Sequence, residues 1–366
     1  MLVALSLAHG TEWIDRHTEL LPFQLPEAFV NTQVDGARST LSTIATAVIG
    51  VTGVMFSMTI VAVSFAAGNY GPRLIGNFMR DRGNQISLGT LIATFAYALS
   101  ILRAVQDPSE AAGVEAFVPQ YSMLVAMLGA IVAVFTMIYF VHHVPETINV
   151  SNITANLGQR LEREIINIIE AEATLDRDKE PMYPDTEPDH EVSLKRAGYI
   201  QTLNYDRLEE LISDRNWIIR IEKLPGDFVT SFTPALTVWA GGDLTKEDDA
   251  ELCDCYALGA SKTEHQNVLF LVDQLVEMLA RALSPGVNDP FTAINCLNWM
   301  HNALKTAKHY GEGLGDAGSG KYLLGPRLAY EELFARSFLA CEPYCKSDHL
   351  AHAHYKSQVS DLNRGL

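Results

Sequence analysis

The sequence predicts a membrane α-helical region followed by a cytoplasmic α+β region, and three observations support this fold class. Three long apolar segments without any Asp, Glu, Lys or Arg lie within the first 141 residues. Residues 142–366 follow them, enough for one large or two small soluble domains. Between residues 192 and 240 apolar and polar residues alternate in short runs, which is typical of half-buried strands.

The three apolar segments are predicted to cross a bilayer as helices over residues 41–67, 86–104 and 118–141. A hydrocarbon core of roughly 30 Å needs about 20 apolar helical residues, so the first and third segments are long enough and the second is short. Helices are expected because a helix satisfies its own backbone polar groups in lipid. Buried helices of a soluble protein are the alternative interpretation.

The chain starts with a fourth apolar stretch, MLVALSLAHG, over residues 1–10. This stretch is too short to span a bilayer and lacks the positive start of a signal peptide. We interpret it as a possible partial span, the end of a further membrane helix that is shortened here, or as an interfacial segment. Residues 11–40 are acidic and are predicted to lie outside, on the side of the membrane opposite the cytoplasm.

The links between the spans predict the orientation in the membrane. The link between the first two spans carries an excess of basic side chains: Arg73, Arg80 and Arg82, against Asp81. The next link is acidic: Asp107, Glu110 and Glu115. The positive-inside rule therefore places the arginine loop, and everything after His142, in the cytoplasm. The arginines either anchor the loop to lipid headgroups, or dock against the acidic soluble region, or bind an anionic ligand.

Small or hydroxyl-bearing residues recur along one face of the first span at spacings of three, four and seven: Gly50, Gly53, Ser57 and Ser64. Such residues let helices approach closely in lipid, so one interpretation is a helix-packing seam. The other interpretation is a pore-facing stripe in a homo-oligomer.

Composition excludes some functions. The formal net charge of −17 argues against a nucleic-acid partner, because phosphate binding needs concentrated Lys and Arg. We expect no cofactor: Gly315, Gly320 and Lys321 have nucleotide-loop spacing, but Tyr322 replaces the required Ser or Thr. We also expect no metal, because the spacing of the His and Cys residues near the C-terminus matches no closed zinc site: Cys341, Cys345, His349, His352 and His354.

The region after the spans is predicted to have four parts: a connecting helix over 145–176, an acidic linker over 177–191, a small α/β module of βαβ type over 192–240, and helical hairpins over 241–366. Inside the module, Gly198–Leu203 is predicted as a strand and Asn204 or Asp206 as the cap of the next helix. Inside the helical part, helices are predicted over Thr245–Leu258 and Lys262–Leu283.

The stretch from Ser284 to Thr292 is the most distinctive in this region. Asp289 is predicted to be an N-cap and Pro290 the first residue of a helix. Arg281, just before the turn, is predicted to pair with Glu277 at i, i+4 spacing. One interpretation is a well-capped helix hairpin. The other is an anion or polar-ligand site built from Arg281, Asn288 and the helix N-terminus.

Several stretches resemble the bacterial predicted membrane proteins of domain-of-unknown-function family 2254: Phe65–Leu99, Ala282–Leu297, Gly198–Ile212 and Gly226–Val229. The resemblance covers nearly the whole chain. It implies a multi-pass protein of the bacterial cytoplasmic (inner) membrane, with usually four N-terminal helices and a cytoplasmic region. It brings no assigned activity or catalytic residue.

Two functional hypotheses follow. The first is a homo-oligomeric, channel-like or transport-related protein with a cytoplasmic regulatory domain; its small-molecule or ion ligand is unknown. Because the spans carry no Asp, Glu, Lys or Arg apart from Arg103 at the end of the second, passive conduction is favoured over pumping. The second is a membrane-anchored sensor or scaffold that binds a ligand or partner through its cytoplasmic domain. An enzyme is not expected, since no nucleophile, base and orienting group form a recognisable set.

Overall fold

The structure, a computed structural model, describes residues 1–20, 32–71, 81–108, 116–173, 184, 186–310, 313–316, 323–325 and 327–364. It divides into two compact units. The N-terminal unit comprises Met1–Gly68 and Pro72–Asn149, and the C-terminal unit comprises Asn69–Gly71 and Val150–Leu366.

The described part of the N-terminal unit is helical. Its helices are α1 (Leu2–Arg16), α2 (Val34–Tyr70), α3 (Arg82–Ala104) and α4 (Gln120–Thr147). The last three are each long and apolar enough to cross a bilayer. They contain the predicted spans 41–67 and 86–104 and all but the first two residues of the span 118–141. α2 has 37 residues, so at about 1.5 Å per residue it is longer than the hydrocarbon core is thick.

Helix α1 continues six residues beyond the predicted partial span, which ended at Gly10. The helix ends at Arg16, and its residues Ala4, Ala8 and Thr11 are buried. Gly10 does not end the helix, because a glycine inside a helix costs only about 1 kcal/mol, which packing of the next turn offsets. Thr11 is therefore helical and is buried within the unit.

The N-terminal unit is packed through two clusters of buried side chains. The first joins all four helices: Ala4, Ala8, Ala37, Leu41, Tyr97, Ile101, Val105, Met123 and Ala126. The second joins α2, α3 and α4: Val48, Met55, Leu91, Ala133, Phe140 and Val144. Many of these residues are alanines, as expected where helices in lipid approach closely.

The C-terminal unit combines helices and small sheets. Its helices are α5 (Val150–Ala173), α6 (Tyr205–Arg215), α7 (Lys246–Asp254), α8 (Val268–Ala282), α9 (Pro290–Tyr310), α10 (Tyr330–Phe334), α11 (Ala340–Cys345) and α12 (His349–Arg364), with a π-helical segment at Ala335–Leu339. Its strands are β1 (His190–Ser193), β2 (Gly198–Leu203), β3 (Ile218–Ile221), β4 (Phe228–Val229), β5 (Pro234–Trp239), β6 (Tyr256–Gly259), β7 (Gly313–Asp316), β8 (Leu323–Leu324) and β9 (Arg327–Ala329).

The strands form a sheet of order β1-β5-β3-β8, a sheet of order β4-β2-β6 and the pair β7-β9. The predicted βαβ arrangement is wrong, because β2 and β3, which flank α6, lie in different sheets. β3 pairs antiparallel with β5 and parallel with β8. A single hydrophobic core lies beneath both larger sheets, and Leu208, Leu211 and Ile212 of α6 are part of it.

The prediction placed this module within residues 192–240, but strands from outside that range complete its sheets. β1 starts at His190, inside the predicted linker, and pairs with β5. β6 and β8 come from the region predicted to be helical. The helix predicted over Thr245–Leu258 ends at Asp254, because the next residues pair with β2 instead of continuing the helix.

The helix predicted to start at Lys262 starts at Val268, with Asn267 as its N-cap. The preceding loop is held to β2 by side chains. Gln266 accepts a hydrogen bond from Leu203 N (2.9 Å) and donates one to Leu203 O (3.0 Å), and Thr263 Oγ1 donates to Gln201 O (3.2 Å). These long-range bonds hold the loop against β2, so the helix starts only after it. Sequence periodicity does not reveal them.

Helices α5, α8 and α12 pack against α9 in the C-terminal unit. α5 approaches α9 closely at Gly158, where an added Cβ would lie 2.5 Å from the Trp299 side chain. A glycine is therefore required at this crossing.

Candidate functional site

The stripe on α2 lies together on one exposed face. Gly50, Gly53, Ser57 and Ser64 are all exposed within the chain. A Cβ added at Gly50 or Gly53 would have no neighbouring atom within 4 Å. The residues that pack α2 onto its own unit lie on another face: Ala37, Leu41, Ala45, Val48, Thr52, Met55 and Ala66. The stripe is therefore not a packing seam within one chain.

The exposed face of α2 also carries large apolar side chains, among them Val54, Phe56 and Val61. Helix α4 exposes a similar set that includes Phe135. An apolar surface of this extent is typical of a lipid-facing helix bundle. Ser57 Oγ donates a hydrogen bond to Gly53 O (3.0 Å), so this hydroxyl is satisfied without water.

The arginine loop is only partly visible, since Arg73 and Arg80 lie outside the described residues. Arg82 is exposed at the first position of α3. Asp81 is the N-cap of α3 and accepts a hydrogen bond from Asn84 N (2.8 Å). Its Oδ1 also lies 2.8 Å from Nε2 of His143 in α4. Asp81 therefore ties the start of α3 to the end of α4.

A second carboxylate joins helices at the other end of α4, and sequence reasoning missed it. Asp15 of α1 accepts hydrogen bonds from Tyr121 N (2.8 Å), Ser122 N (2.9 Å) and Ser122 Oγ (2.5 Å). Pro119, which precedes α4, provides no side-chain cap. Asp15 therefore supplies the missing acceptor and places a negative charge at the positive end of the helix dipole.

Next to this cap, a buried tyrosine links three helices. The hydroxyl of Tyr97 in α3 lies 2.8 Å from Thr11 Oγ1 of α1 and donates to Ser122 O of α4 (3.2 Å). The signal for this network was the i, i+4 spacing of Thr11 and Asp15 on a single helical face. Sequence reasoning missed the network because it treated residues 11–40 only as an acidic segment outside the membrane and assigned no helix there.

The turn from Ser284 to Thr292 is closed by its own hydrogen bonds. Asp289 N donates to Ala282 O (2.8 Å), and Asn288, at φ 50°, has the left-handed conformation that asparagine tolerates. The Asp289 carboxylate accepts from Thr292 N (3.1 Å) and Thr292 Oγ1 (2.5 Å). The predicted cap and the predicted first helical residue, Pro290, are thus both present.

The hypothesis of an anion site at this turn depends on which groups Arg281 and the N-terminus of α9 already contact. The Arg281 guanidinium pairs with Glu277, with Nη2 at 3.2 Å from Oε1, as its spacing predicted. The Asp289 carboxylate puts negative charge at the N-terminus of α9, where an anion would otherwise bind. Arg281, Asn288 and Asp289 therefore form a capped hairpin, and ligand binding there stays a prediction.

The cysteines are buried and hold their protons. Cys341 and Cys345 are fully buried, and burial, followed by the charge of Asp348, raises the pKa of Cys345 to about 11. Burial likewise raises the pKa of Cys255 to about 11. Within the described ranges, no group of three or more His, Cys, Asp or Glu side chains is arranged to hold a metal ion.

The N-terminal unit has helices with an apolar outer surface, and a unit of helices and small sheets follows it. These features define an α-helical membrane protein. The chain belongs to the family described as "Predicted membrane protein (DUF2254)", whose sequence profile matches residues 1–356. This confirms the family resemblance carried by the motifs around α2, α3 and the α8–α9 turn.

Relatives in this family include the uncharacterized protein Mb1321c of Mycobacterium bovis and the uncharacterized protein Rv1290c of Mycobacterium tuberculosis. Each is 28% identical to the chain over 270 residues, a match that covers 72% of the chain and 51% of the relative. The chain thus spans about half the length of the curated relatives it matches. No solved structure matches the chain.

Proposed function

We propose that this membrane protein is a homo-oligomeric, channel-like or transport-related protein whose copies meet along α2, with the C-terminal unit as its regulatory part. The observation that carries the proposal is the exposed stripe of Gly50, Gly53, Ser57 and Ser64. These residues share a face that none of the other described helices of the N-terminal unit covers.

The chemistry of the stripe fits this role. Glycines allow a helix of a second copy to approach closely, and the two serines supply hydroxyl groups in an otherwise apolar segment. The spans 41–67, 86–102 and 118–141 contain no Asp, Glu, Lys or Arg. A coupled carrier usually needs such a group within the membrane, so the composition supports passive movement of a solute or ion.

The same reasoning leads to a proposed topology. The arginines of the loop after α2 support a cytoplasmic position for that loop, and hence for the C-terminal unit, at the bacterial inner membrane. Protease added to the outside of intact spheroplasts should then leave the C-terminal unit uncut and cut it after lysis. Cleavage in intact spheroplasts would reverse the proposed orientation.

The test of oligomerisation is the mass of the detergent-purified protein by light scattering, with the detergent contribution subtracted. A ring of several copies is expected, with conductance in planar bilayers. Gly53→Leu should lower both the mass and the conductance. Because the space at Gly53 is open within the chain, this variant should keep its helical circular dichroism.

The matched control is Met58→Phe, which adds bulk at an exposed residue of α2 that is not three or four positions away from any residue of the stripe. It should leave the mass and conductance unchanged. A wild-type protein that is monomeric at every detergent-to-protein ratio would refute the proposal, as would equal effects of the two variants.

The second candidate function is a membrane-anchored sensor or scaffold. It is favoured by Phe232, whose side chain is 91% exposed in the turn between β4 and β5 of the C-terminal unit. Two results together would favour this second function over the first. The protein would assemble as an oligomer but show no conductance, and Phe232→Ser would cause a cellular phenotype.

A further inference from the structure

The end of helix α2 is part of the C-terminal unit. Residues Asn69–Gly71 belong to that unit, although α2 is a continuous helix up to Tyr70. Gly71 follows directly and is buried, with φ 119°, a backbone conformation that favours glycine. A Cβ added there would lie 2.8 Å from Oε1 and 2.9 Å from Cδ of Glu277 on α8. The backbone of Gly71 therefore packs directly against α8.

The same end of α2 lies beside the turn that joins α8 to α9. The Asp289 carboxylate, at the end of this turn, is close enough to act electrostatically on the Tyr70 hydroxyl. Glu277, which contacts Gly71, pairs with Arg281 in the last turn of α8. The turn from α8 to α9 is thus located at the point where α2 ends.

This location determines the depth of the turn relative to the bilayer. The apolar part of α2 ends at Ala67, and Phe65 is still exposed on its outer surface. At about 1.5 Å per residue, Gly71 lies about 6 Å further along the helix. The headgroup region on each side of the hydrocarbon core is roughly 5–8 Å thick. The turn packed against the end of α2 is therefore at the level of the lipid headgroups.

Two large apolar side chains are exposed at this turn. Val287 is 45% exposed, and Phe291, the second residue of α9, is 68% exposed. The residues 284–286 that precede Val287 are uncharged. Exposed apolar side chains with polar neighbours are typical of membrane or protein contact sites. At headgroup depth, such side chains can bury themselves at the boundary between headgroups and acyl chains.

The polar groups of the turn are compatible with a position among lipid headgroups. The backbone N–H groups of Val287 and Asn288 both donate to Ser284 O (3.0 Å each). The Asp289 carboxylate accepts from the backbone N–H and the hydroxyl of Thr292. Because these groups have partners within the protein, they lose little when lipid replaces the surrounding water.

We propose that Val287 and Phe291 anchor the C-terminal unit to the surface of the membrane that α2 crosses, with both side chains inserted among the lipid headgroups. The end of α2, packed against the same turn, favours lipid over a protein partner, because a helix that leaves the bilayer brings the turn to the membrane surface. The anchor holds for either orientation in the membrane and does not depend on the channel function.

The opposite end of α8 provides an internal comparison. A Cβ added at Gly226 would overlap the side chain of Asn267, the N-cap of α8. Phe228, two residues further on, is 55% exposed. Helix α8 has 15 residues, so its two ends are about 22 Å apart. Phe228 is therefore a similarly exposed ring at the end of α8 that lies away from the end of α2.

The test uses the full chain in vesicles of phosphatidylethanolamine and phosphatidylglycerol, with a nitroxide spin label at a single introduced cysteine. Collisions with oxygen, which concentrates in lipid, and with a water-soluble nickel chelate report whether the label is in lipid or in water. The native cysteines are buried, and the unsubstituted protein, treated with the label, gives the background signal.

Four labelled variants are compared. Phe291→Cys and Val287→Cys place the label at the turn, and the second variant keeps the Phe291 ring, so it decides the test if the first does not fold. Val61→Cys, on the exposed face of α2, is the reference for lipid. Phe228→Cys is the matched control at the opposite end of α8.

Both labels at the turn should collide with the nickel chelate several-fold less often than the label at position 228, and more often than the label at position 61. Labels at the turn that meet the chelate as often as the label at position 228 would overturn the proposal. Labels at the turn that are shielded from both oxygen and the chelate would also overturn it, because protein and not lipid would then cover the turn.

Discussion

One phenylalanine of the N-terminal unit and one of the C-terminal unit lie in opposite environments. Phe135 of α4 is 67% exposed, whereas Phe338 of the π-helical segment is 0% exposed and packs against Phe334 and Tyr355. The difference reflects the solvent. In water an exposed phenyl ring is unfavourable, whereas in a bilayer the surrounding lipid is as apolar as the ring.

The two units therefore depend on different interactions. The C-terminal unit is stabilised by a continuous apolar core beneath its two larger sheets. The N-terminal unit buries several alanines among larger apolar side chains and joins its helices by specific polar bonds, those of Asp15 to the start of α4 and of Tyr97 to Thr11 and Ser122. Comparing the units shows where a substitution should be costly, and three predictions test this.

The largest effect is expected for Phe338→Ala. Removing a fully buried phenyl ring leaves a cavity and should lower the stability of the C-terminal unit by about 3–5 kcal/mol. The matched variant Phe135→Ala, in the exposed position of α4, should change stability by less than about 0.5 kcal/mol. Both losses are measured by denaturant unfolding in detergent. The fluorescence of Trp299 in α9 reports the effect of Phe338→Ala, and the fluorescence of Trp13 in α1 reports the effect of Phe135→Ala. Equal losses would mean that the two units do not differ as described.

A smaller effect is expected for Asp15→Ala, which removes the acceptor at the start of α4. Loss of an N-cap should cost about 1–2 kcal/mol and increase hydrogen exchange at the first turn of α4. The control is Glu12→Ala on the same helix, which removes the pair with Arg16 and should cost less than about 0.5 kcal/mol. A control as destabilising as Asp15→Ala would show that the carboxylate does not act as a cap.

The smallest effect is expected for Tyr97→Phe, which keeps the ring and removes the hydroxyl shared by Thr11 and Ser122. Hydrogen bonds between membrane helices contribute roughly 0.6–1.7 kcal/mol, so the loss should be about 1 kcal/mol. Unfolding in detergent followed by Trp13 measures it. Tyr344→Phe, at an exposed position of the C-terminal unit, should have no measurable effect. If Tyr97→Phe left stability unchanged, the hydrogen bonds of this hydroxyl would not contribute to the stability of the N-terminal unit.

The local elements of the C-terminal unit were largely visible in the sequence. β2 covers the same six residues that alternation indicated, and Asn204 caps α6. The turn before α9 has Asp289 and Pro290 in their expected places, because capping depends on neighbouring residues. The start of α8 was misplaced, because Gln266 and Thr263 bond to residues of β2 about 60 positions away in the chain.

In the candidate sites as well, spacing along the chain predicted which residues share a helix face, and only the tertiary structure showed what lies against that face. The periodicity of α2 placed Gly50, Gly53, Ser57 and Ser64 on one face, but only the packing of the other helices shows that this face is uncovered. The histidines near the C-terminus were considered only with Cys341 and Cys345 as a metal cluster. In the structure His354 lies against Asn298 instead, a partner that spacing along the chain could not reveal.

The sequence by itself determined that the chain enters the membrane, where its three spans lie, and which family it resembles. These properties depend on the length and composition of continuous segments, and the transfer of an apolar segment into lipid needs no knowledge of its neighbours. The tertiary structure decided the sheet order, the cap that Asp15 provides to α4, and the polar contacts between α9 and α12. Each of these joins residues that are distant in the chain, and their geometry is fixed only when separate helices and strands pack together.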